Sequence, residues 1–426
     1  MMQIINDLTP LNRVFCSSDY DAAIDYLCDI LPFTVHEYPA HNVHNGWVIP
    51  PKWDVKEAKI LKDGKVIYDG TKHPLSVIAL SSPFRGKVDL NELKKHLHYD
   101  TRYDDAIPYH FRQMYRSWER DWGFCVTKNF YDSLNEGTYD IIIETEEAEG
   151  VLKVLEYTKK GKLDETIIIA AHLDHPGMAN DDLAGCSVGV ELFKKLQSME
   201  TKFSYQLFLH QEVIGPEYYL AHLNEDKRSK LLEGIFIEML GSRTKLGLQS
   251  SPQGLTNVEY FVKQELEKSG IPFNHKPYGD VVVNGEYIYA GYGIPVSSLS
   301  RYPYPEYHSD KDDISIIYEE ELKESLNILL RAIENMERDA IVRKKYQGNV
   351  CASNPQYNLY VDPGQAAFGG LVDEYDVRNV RRFMELFPMY HKQVPIRRLS
   401  SEFNIEYRLL HDYLKRWEAK GLIEMV

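Results

Sequence analysis

The residues of this chain best suited to chemistry are histidines and carboxylates placed where apolar runs end. In IIIAAHLDHPGMANDDLAGCSVGV, residues 167 to 190, the apolar run stops at His172, Asp174 lies two residues on, and Asp181 and Asp182 precede a helical segment. Further along, Glu212 closes YQLFLHQ, Glu238 closes GIFI, and His308 lies in PEYHSDKDD. Imidazole nitrogen and carboxylate oxygen without sulfur form the donor set of catalytic zinc or a related divalent ion. Two histidines with three carboxylates suit a pair of ions sharing one bridging carboxylate. Such a centre polarises a carbonyl and activates water, so hydrolysis is the chemistry it would serve.

Taken singly these features are bland. A strand-end His-x-Asp is usually structural, and Asp181-Asp182 alone reads as the cap of a helix. Their joint order with Glu212, Glu238 and His308 turns the balance towards a metal site. His175, beside Pro176, reads as packing around the site and Cys186 as a small buried helix residue. In SRYPYPEYH, Arg301, Tyr302 and Tyr304 are candidates for holding a substrate carboxylate or sugar, although a Pro-locked loop with aromatics also serves plain packing.

These residues need elements that bring distant positions together. From about residue 138 the chain alternates apolar strands with helical stretches: YDIIIET, GVLKVLEYT and ETIIIAAH, then the helix GCSVGVELFKKLQSM, the strand SYQLFLHQE, the helix GPEYYLAHLNED and the strand GIFIEML. Buried strands joined by crossover helices imply an α/β sheet, mixed or parallel and covered on both faces, with active groups at strand carboxyl ends. Before it, DYDAAIDYLCDIL predicts a helix with Asp19 as a cap, and alternation around Lys-Asp-Gly-Lys predicts a hairpin. Residues 46–130 read as a small β-rich domain, with residues 1–45 and 131–350 as the α/β core. A helix is expected over 318–345, then a Gly- and Pro-marked linker, then three helices and a short terminal strand over 363–426.

The order His-x-Asp, Asn-Asp-Asp-x-x-Gly, Glu, an acidic residue before Met-x-Gly, and Tyr-His-Ser resembles the co-catalytic dizinc aminopeptidases, over about residues 138–345. The resemblance implies that His172 and Glu238 bind one ion, Glu212 and His308 the other, and that Asp181 bridges them. It also implies that Asp174 fixes the imidazole of His172. The stretches NGWVIPPKWDV, HPLSVIALSSPFRGKVDLNELKKHLHYD, IPYHFRQMYRSW, WGFCV, HPGMANDDLAG and YHSDKDD are similar to the aminopeptidase-like proteins of bacterial polysaccharide-biosynthesis clusters. That likeness implies a three-layer zinc-peptidase-like core with a mixed sheet, a small β-rich domain and a C-terminal winged helix.

One residue departs from the pattern. In the active aminopeptidases a glutamate general base precedes the second-ion glutamate, and here that position is Gln211, whose amide cannot accept a proton. Glu217, Asp310 or a substrate carboxylate would have to substitute. The expected function is metal-dependent hydrolysis of an amide, peptide or N-acylated sugar. The alternative is a non-catalytic pseudoenzyme binding a glycan or a partner.

Composition narrows the rest. A net charge of −15 opposes non-specific binding to nucleic acid or anionic membrane. Residues 371–426 hold ten Lys and Arg against nine Asp and Glu, so the expected winged helix lacks a duplex-binding surface and reads better as a protein-partner or dimer site. Five scattered cysteines, Cys16, Cys28, Cys125, Cys186 and Cys351, give neither a disulfide framework nor a thiolate zinc site. With no signal-peptide pattern and no bilayer-length apolar run, a cytoplasmic location is expected.

Overall fold

The computed structural model describes residues 1–281, 285–361, 374–390 and 393–426. They form two compact units, Met1–Glu259 with Leu266–Leu330, and Tyr260–Glu265 with Arg331–Val426. The first is built on an eight-stranded mixed sheet, in the order Thr34–Pro39, Val151–Lys159, Ser204–His210, Thr166–His172, Leu231–Glu238, Val296–Ser300, Leu246–Gln249 and Phe273–Lys276. The four strands from Ser204–His210 to Val296–Ser300 are mutually parallel; Val151–Lys159 and Leu246–Gln249 flank them antiparallel. The α/β class with a mixed sheet is the one expected. Every residue of Thr166–His172 and of Ser204–His210 is buried, as continuous apolar runs require when both sheet faces are covered.

The helix Ser18–Ile30 is capped by Ser17, whose hydroxyl accepts the Tyr20 N–H, and not by Asp19, which accepts the N–H of Asn12. The predicted hairpin pairs Lys52–Lys62 with Lys65–Asp69. Asp63 and Gly64 both take positive φ at its tip, as a two-residue primed turn demands. YDIIIET departs from its expected place. The strand Thr138–Ala148 lies in a four-stranded antiparallel sheet between Lys52–Lys62 and Phe84–Asp89. The reason is legible in its burial: Tyr139, Ile141 and Ile143 alternate with more exposed neighbours, the mark of a one-sided sheet. Apolar residues of this small sheet and of the large one, including Trp53, Tyr139, Ile168 and Phe236, run into one core.

In the second unit, the helix expected to reach residue 345 ends at Arg338, and Ile341–Lys344 is the middle strand of a three-stranded sheet with Val394–Pro395 and Ile423–Met425. The buried Asp339 carboxylate accepts the N–H of Arg397, tying the break to the next helix. Helices Glu374–Leu386, Ile396–Phe403 and Tyr407–Ala419 and the terminal strand follow in the order expected. The glycine-rich part of the expected linker, and the start of the expected 363–426 unit, fall outside the described residues. No helix among those described is long and apolar enough to cross a membrane.

Candidate metal centre

Parallel register brings the ligand-type residues to one edge of the sheet. His172 ends its strand opposite His210, so Gln211 and Glu212 turn away beside it. Ala170 pairs with Phe236, two residues before His172 and Glu238 respectively. Asp181 comes from the crossover loop leading into the helix Gly185–Leu196, and His308 from the loop after Val296–Ser300. This is the carboxyl end of the sheet, where α/β folds place their ligands.

Asp181 is the centre of the group. Its Oδ1 is 2.9 Å from His172 Nε2, and its Oδ2 is 3.2 Å from both His308 Nε2 and His175 Nδ1. His175 Nε2 lies 3.3 Å from Glu212 Oε2. Asp174 Oδ1 stands 3.5 Å from His172 Nδ1 and accepts the N–H of Glu212 at 2.9 Å. The triplets His172, Asp174, His175 and His175, Asp181, His308 each have donor atoms close enough to share one ion. His175, expected to pack around the site, stands inside it.

Several of these atoms are buried with no hydrogen-bond partner among the described residues: both ring nitrogens of His172, both oxygens of Asp181 and of Glu238, Nδ1 of His175 and Nε2 of His308. His172 and Asp181 approach closely but out of hydrogen-bond alignment. An unsatisfied buried polar atom costs about 1–3 kcal/mol, more when charged, so this many in one place point to cations as the missing partner. The nitrogen and carboxylate oxygen donors therefore fit a divalent metal ion.

Electrostatics agree. Burial alone would raise Asp181, yet His175, His172 and His308 hold its carboxyl well below the usual range. Burial, then the Glu286 and Asp182 carboxylates, drive Glu238 well above its usual value.

The model of the family described as "Domain of unknown function (DUF4910)" matches residues 2–339. The chain belongs to this family. The DUF4910 chain is 26% identical over 342 residues to a Clostridium acetobutylicum protein named as a polysaccharide biosynthesis protein with an aminopeptidase-like domain, covering 79% of this chain and 77% of that one. Its fold is similar to the crystal structure of a Clostridium acetobutylicum protein named as a peptidase (TM-score 0.77, 23% identity, 100% and 96% of the two chains). It is also similar to BSAP, a zinc aminopeptidase from Bacillus subtilis (TM-score 0.60, 14% identity, 78% and 93%).

The supports of the DUF4910 centre were only partly visible in its sequence. The N-cap position of the helix Gly185–Leu196 is Ala184, not Asp181 or Asp182; the Asp182 carboxylate instead accepts the N–H groups of Gly185, Met239 and His172, tying two strand ends to the helix start. Asp312, overlooked within SDKDD, accepts from the backbone of Ala179, Asn180 and Asp181 and from the Tyr304 hydroxyl, at 2.6 Å for the last. Burial and then Asp181 push it up to about 7. Arg13, also overlooked, is fully buried and donates to the carbonyls of Leu8, Leu173, His175 and Met178, so it holds the loop that carries Asp174 and His175. At Gly185 a Cβ would meet the Ile237 carbonyl at 2.1 Å; only glycine lets the helix start that close. Positive φ values fall on His175 and His308, and on Val213 and Met239, which directly follow Glu212 and Glu238. For a β-branched residue such as Val213 this is a true outlier, and such strain concentrates at functional sites.

An aromatic-rich segment, residues 99–131, lies against this centre. The Tyr109 N–H donates to the His308 carbonyl, Asp310 exchanges hydrogen bonds with Ile107, and the Tyr109 and Phe111 rings lie 5.4 Å from His308. The Tyr115 hydroxyl is 3.4 Å from Glu212 Oε2. Tyr307 stacks on His308 at 3.8 Å, and Tyr302 packs on Tyr307. Only Glu212 (17% exposed side chain) and His308 (22%) reach solvent, so the mouth opens on their side among these rings.

Two expectations need correction. Arg301 does not face this mouth: it is buried, ion-paired to Glu321 and Glu324 at 2.7 and 2.6 Å, and donates to the Thr244 carbonyl. Neither substitute base is placed in the cluster, since Asp310 holds Ile107 and Glu217 accepts from Tyr292 and lies 3.3 Å from His44. Gln211 is fully buried, and neither its Oε1 nor its Nε2 has a hydrogen-bond partner among the described residues. Cys186 is a buried helix residue whose thiol donates to the His172 carbonyl.

Proposed function

We propose that this chain is an aminopeptidase-like hydrolase of an amide, peptide or N-acylated sugar bond that depends on two zinc ions. The observation that carries this reading is the buried set of partnerless nitrogens and carboxylate oxygens around Asp181. The names of the Clostridium acetobutylicum relative and of the Bacillus subtilis aminopeptidase support it. Divalent ions in such a site polarise a carbonyl and make water acidic enough to attack at neutral pH.

The protein's own contribution is positioning. His172 and Glu238 would hold one ion, Glu212 and His308 the other, with Asp181 between them and His175 as a further donor to the Glu212 side. Asp174 sets the His172 ring, and Asp182 and Asp312 fix the Asp181 loop so that its carboxylate faces both histidines. Tyr115, Phe111 and Tyr307 exclude water at the mouth and offer apolar faces to a substrate with a polar terminus.

Gln211 favours a second reading. A neutral amide beside Glu212 removes the proton acceptor worth about 10²- to 10⁴-fold, so the chain would be a glycan- or partner-binding pseudoenzyme of polysaccharide biosynthesis. In either case we infer a cytoplasmic protein whose winged-helix-like C-terminal unit meets a protein partner or a second copy. Turnover of aminoacyl p-nitroanilides and of N-acetylated amino sugars, with and without a chelator, separates the readings. Hydrolysis abolished by chelation and restored by zinc supports the enzyme; no turnover of either class by zinc-loaded protein supports the pseudoenzyme.

A further inference from the structure

Away from the metal centre, the first unit carries a second concavity of about 520 Å³, lined among others by His41, Ser117, Trp118, Arg120, Glu147 and Glu149. Its size falls within the roughly 300–1,000 Å³ of small-ligand pockets. The chain builds it from three segments. The N–H of Ala40 donates to the Gly150 carbonyl, fixing the 41–51 hairpin beside the end of strand Thr138–Ala148. Arg120 pairs with Glu147 and donates to the Ser82 hydroxyl, holding the 117–120 loop opposite.

Trp118 is the unusual member. It is 60% exposed, whereas Trp53 and Trp417 are 1% exposed, and among the described residues it packs on no other ring. An exposed indole presents a large, flat apolar face on which a ligand can stack. Around it stand a guanidinium, two carboxylates, an imidazole and a hydroxyl, of mixed sign and all able to bond hydroxyl groups. Mixed charge disfavours a polyanion, and the small span disfavours a protein surface, which typically buries about 800 Å² per partner. A flat apolar ring surrounded by hydroxyl-binding groups suits a pyranose, which has one apolar face and a polar rim.

We propose that this groove binds a hexopyranose unit of an oligosaccharide, stacked on Trp118 and held at its rim by Arg120, Glu147 and Glu149. The site does not depend on metal. Trp118 lies three residues after Tyr115, which ends the helix Arg112–Tyr115 and whose hydroxyl faces Glu212.

Saturation-transfer NMR on the full chain, with N,N′-diacetylchitobiose and with cellobiose as probes, tests this. Wild type, Trp118→Phe and His172→Ala should each transfer saturation to at least one disaccharide, most strongly to the axial ring protons, and Trp118→Ala should lose the transfer. Retention in His172→Ala would keep the groove even if the metal reading failed. A second measurement needs no folded alanine variant: with isotope-labelled tryptophan, the Trp118 indole N–H signal should shift on titration while those of Trp53 and Trp417 stay. Absence of transfer to both sugars in wild type, undiminished transfer in Trp118→Ala, or a static Trp118 signal would overturn the proposal.

Discussion

Asp181 Oδ1 lies 2.9 Å from His172 Nε2, yet the two atoms are not aligned as a hydrogen bond. Two buried groups held this close without satisfying each other are arranged for a third. If that third group is a cation, zinc should stabilise the native state by RT ln(1 + [L]/Kd), about 2.7 kcal/mol at a hundredfold excess over Kd. Scanning calorimetry should show the unfolding temperature of wild type rising with zinc and falling back with chelator. In Asp181→Asn it should not move, and an equal rise in that variant would contradict the assignment.

Arg13 donates from the protein interior to four carbonyls, three of them at or beside the site loop. Arg13→Ala leaves these acceptors buried and unpaired, and Arg13→Lys restores a charge without the planar fork. Denaturant unfolding should show a loss of about 3 kcal/mol or more for alanine and only partial recovery for lysine. A change under about 0.5 kcal/mol, the level of an ordinary surface substitution, would show that the loop is held by other contacts.

Gly185→Ala places a methyl against the Ile237 carbonyl and the Asp182 carboxylate. Overpacking of this kind costs about 1–3 kcal/mol, and here it should also displace the Asp182 carboxylate from the Met239 and His172 amides. The variant should unfold at lower denaturant and bind zinc more weakly. Unchanged values for both would mean the helix start can shift freely.

Gln211→Glu adds the missing proton acceptor. If hydrolysis is limited by that step, turnover of an amide substrate should rise about 10²-fold or more. An unchanged rate would show that another group handles the proton.

Glu156 offers a pH test away from the metal centre. Burial would raise it, but hydrogen bonds with His36, Thr158 and Tyr219 bring it down from 4.5 to about 2. A carboxyl depressed in the folded state adds stability above its unfolded pKa and loses it as pH falls through the folded value. Stability should therefore drop between about pH 4.5 and 2, by on the order of 3 kcal/mol, and Glu156→Gln should flatten that part of the profile. Identical acid limbs for the two proteins would contradict the assignment.

What the sequence disclosed follows from how local each signal is. The strand ends at His172, Glu212 and Glu238 were legible because a buried parallel strand shows as a continuous apolar run and its chemistry begins where the run stops. Asp181 and His308 were legible through motif order. Arg13 and Asp312 were not, because their partners, apart from the Tyr304 hydroxyl on Asp312, are backbone groups, which carry no residue identity, and Arg13 holds carbonyls some 160 positions along the chain. Arg301 misled because an arginine beside tyrosines looks the same whether it faces a substrate or, as here, two glutamates of the following helix. The strand Thr138–Ala148 was misplaced because Ile141–Ile143 reads as a continuous run, although the alternation of Tyr139, Ile141 and Ile143 pointed to a one-sided sheet.

The most direct test is the metal content of the full chain, measured by elemental mass spectrometry on protein purified without a histidine tag, beside Asp181→Ala and His172→Ala. The account predicts about two zinc ions per chain in wild type and their loss in both variants. Protein that holds no divalent metal, even after reconstitution with zinc, cobalt or manganese, would contradict it.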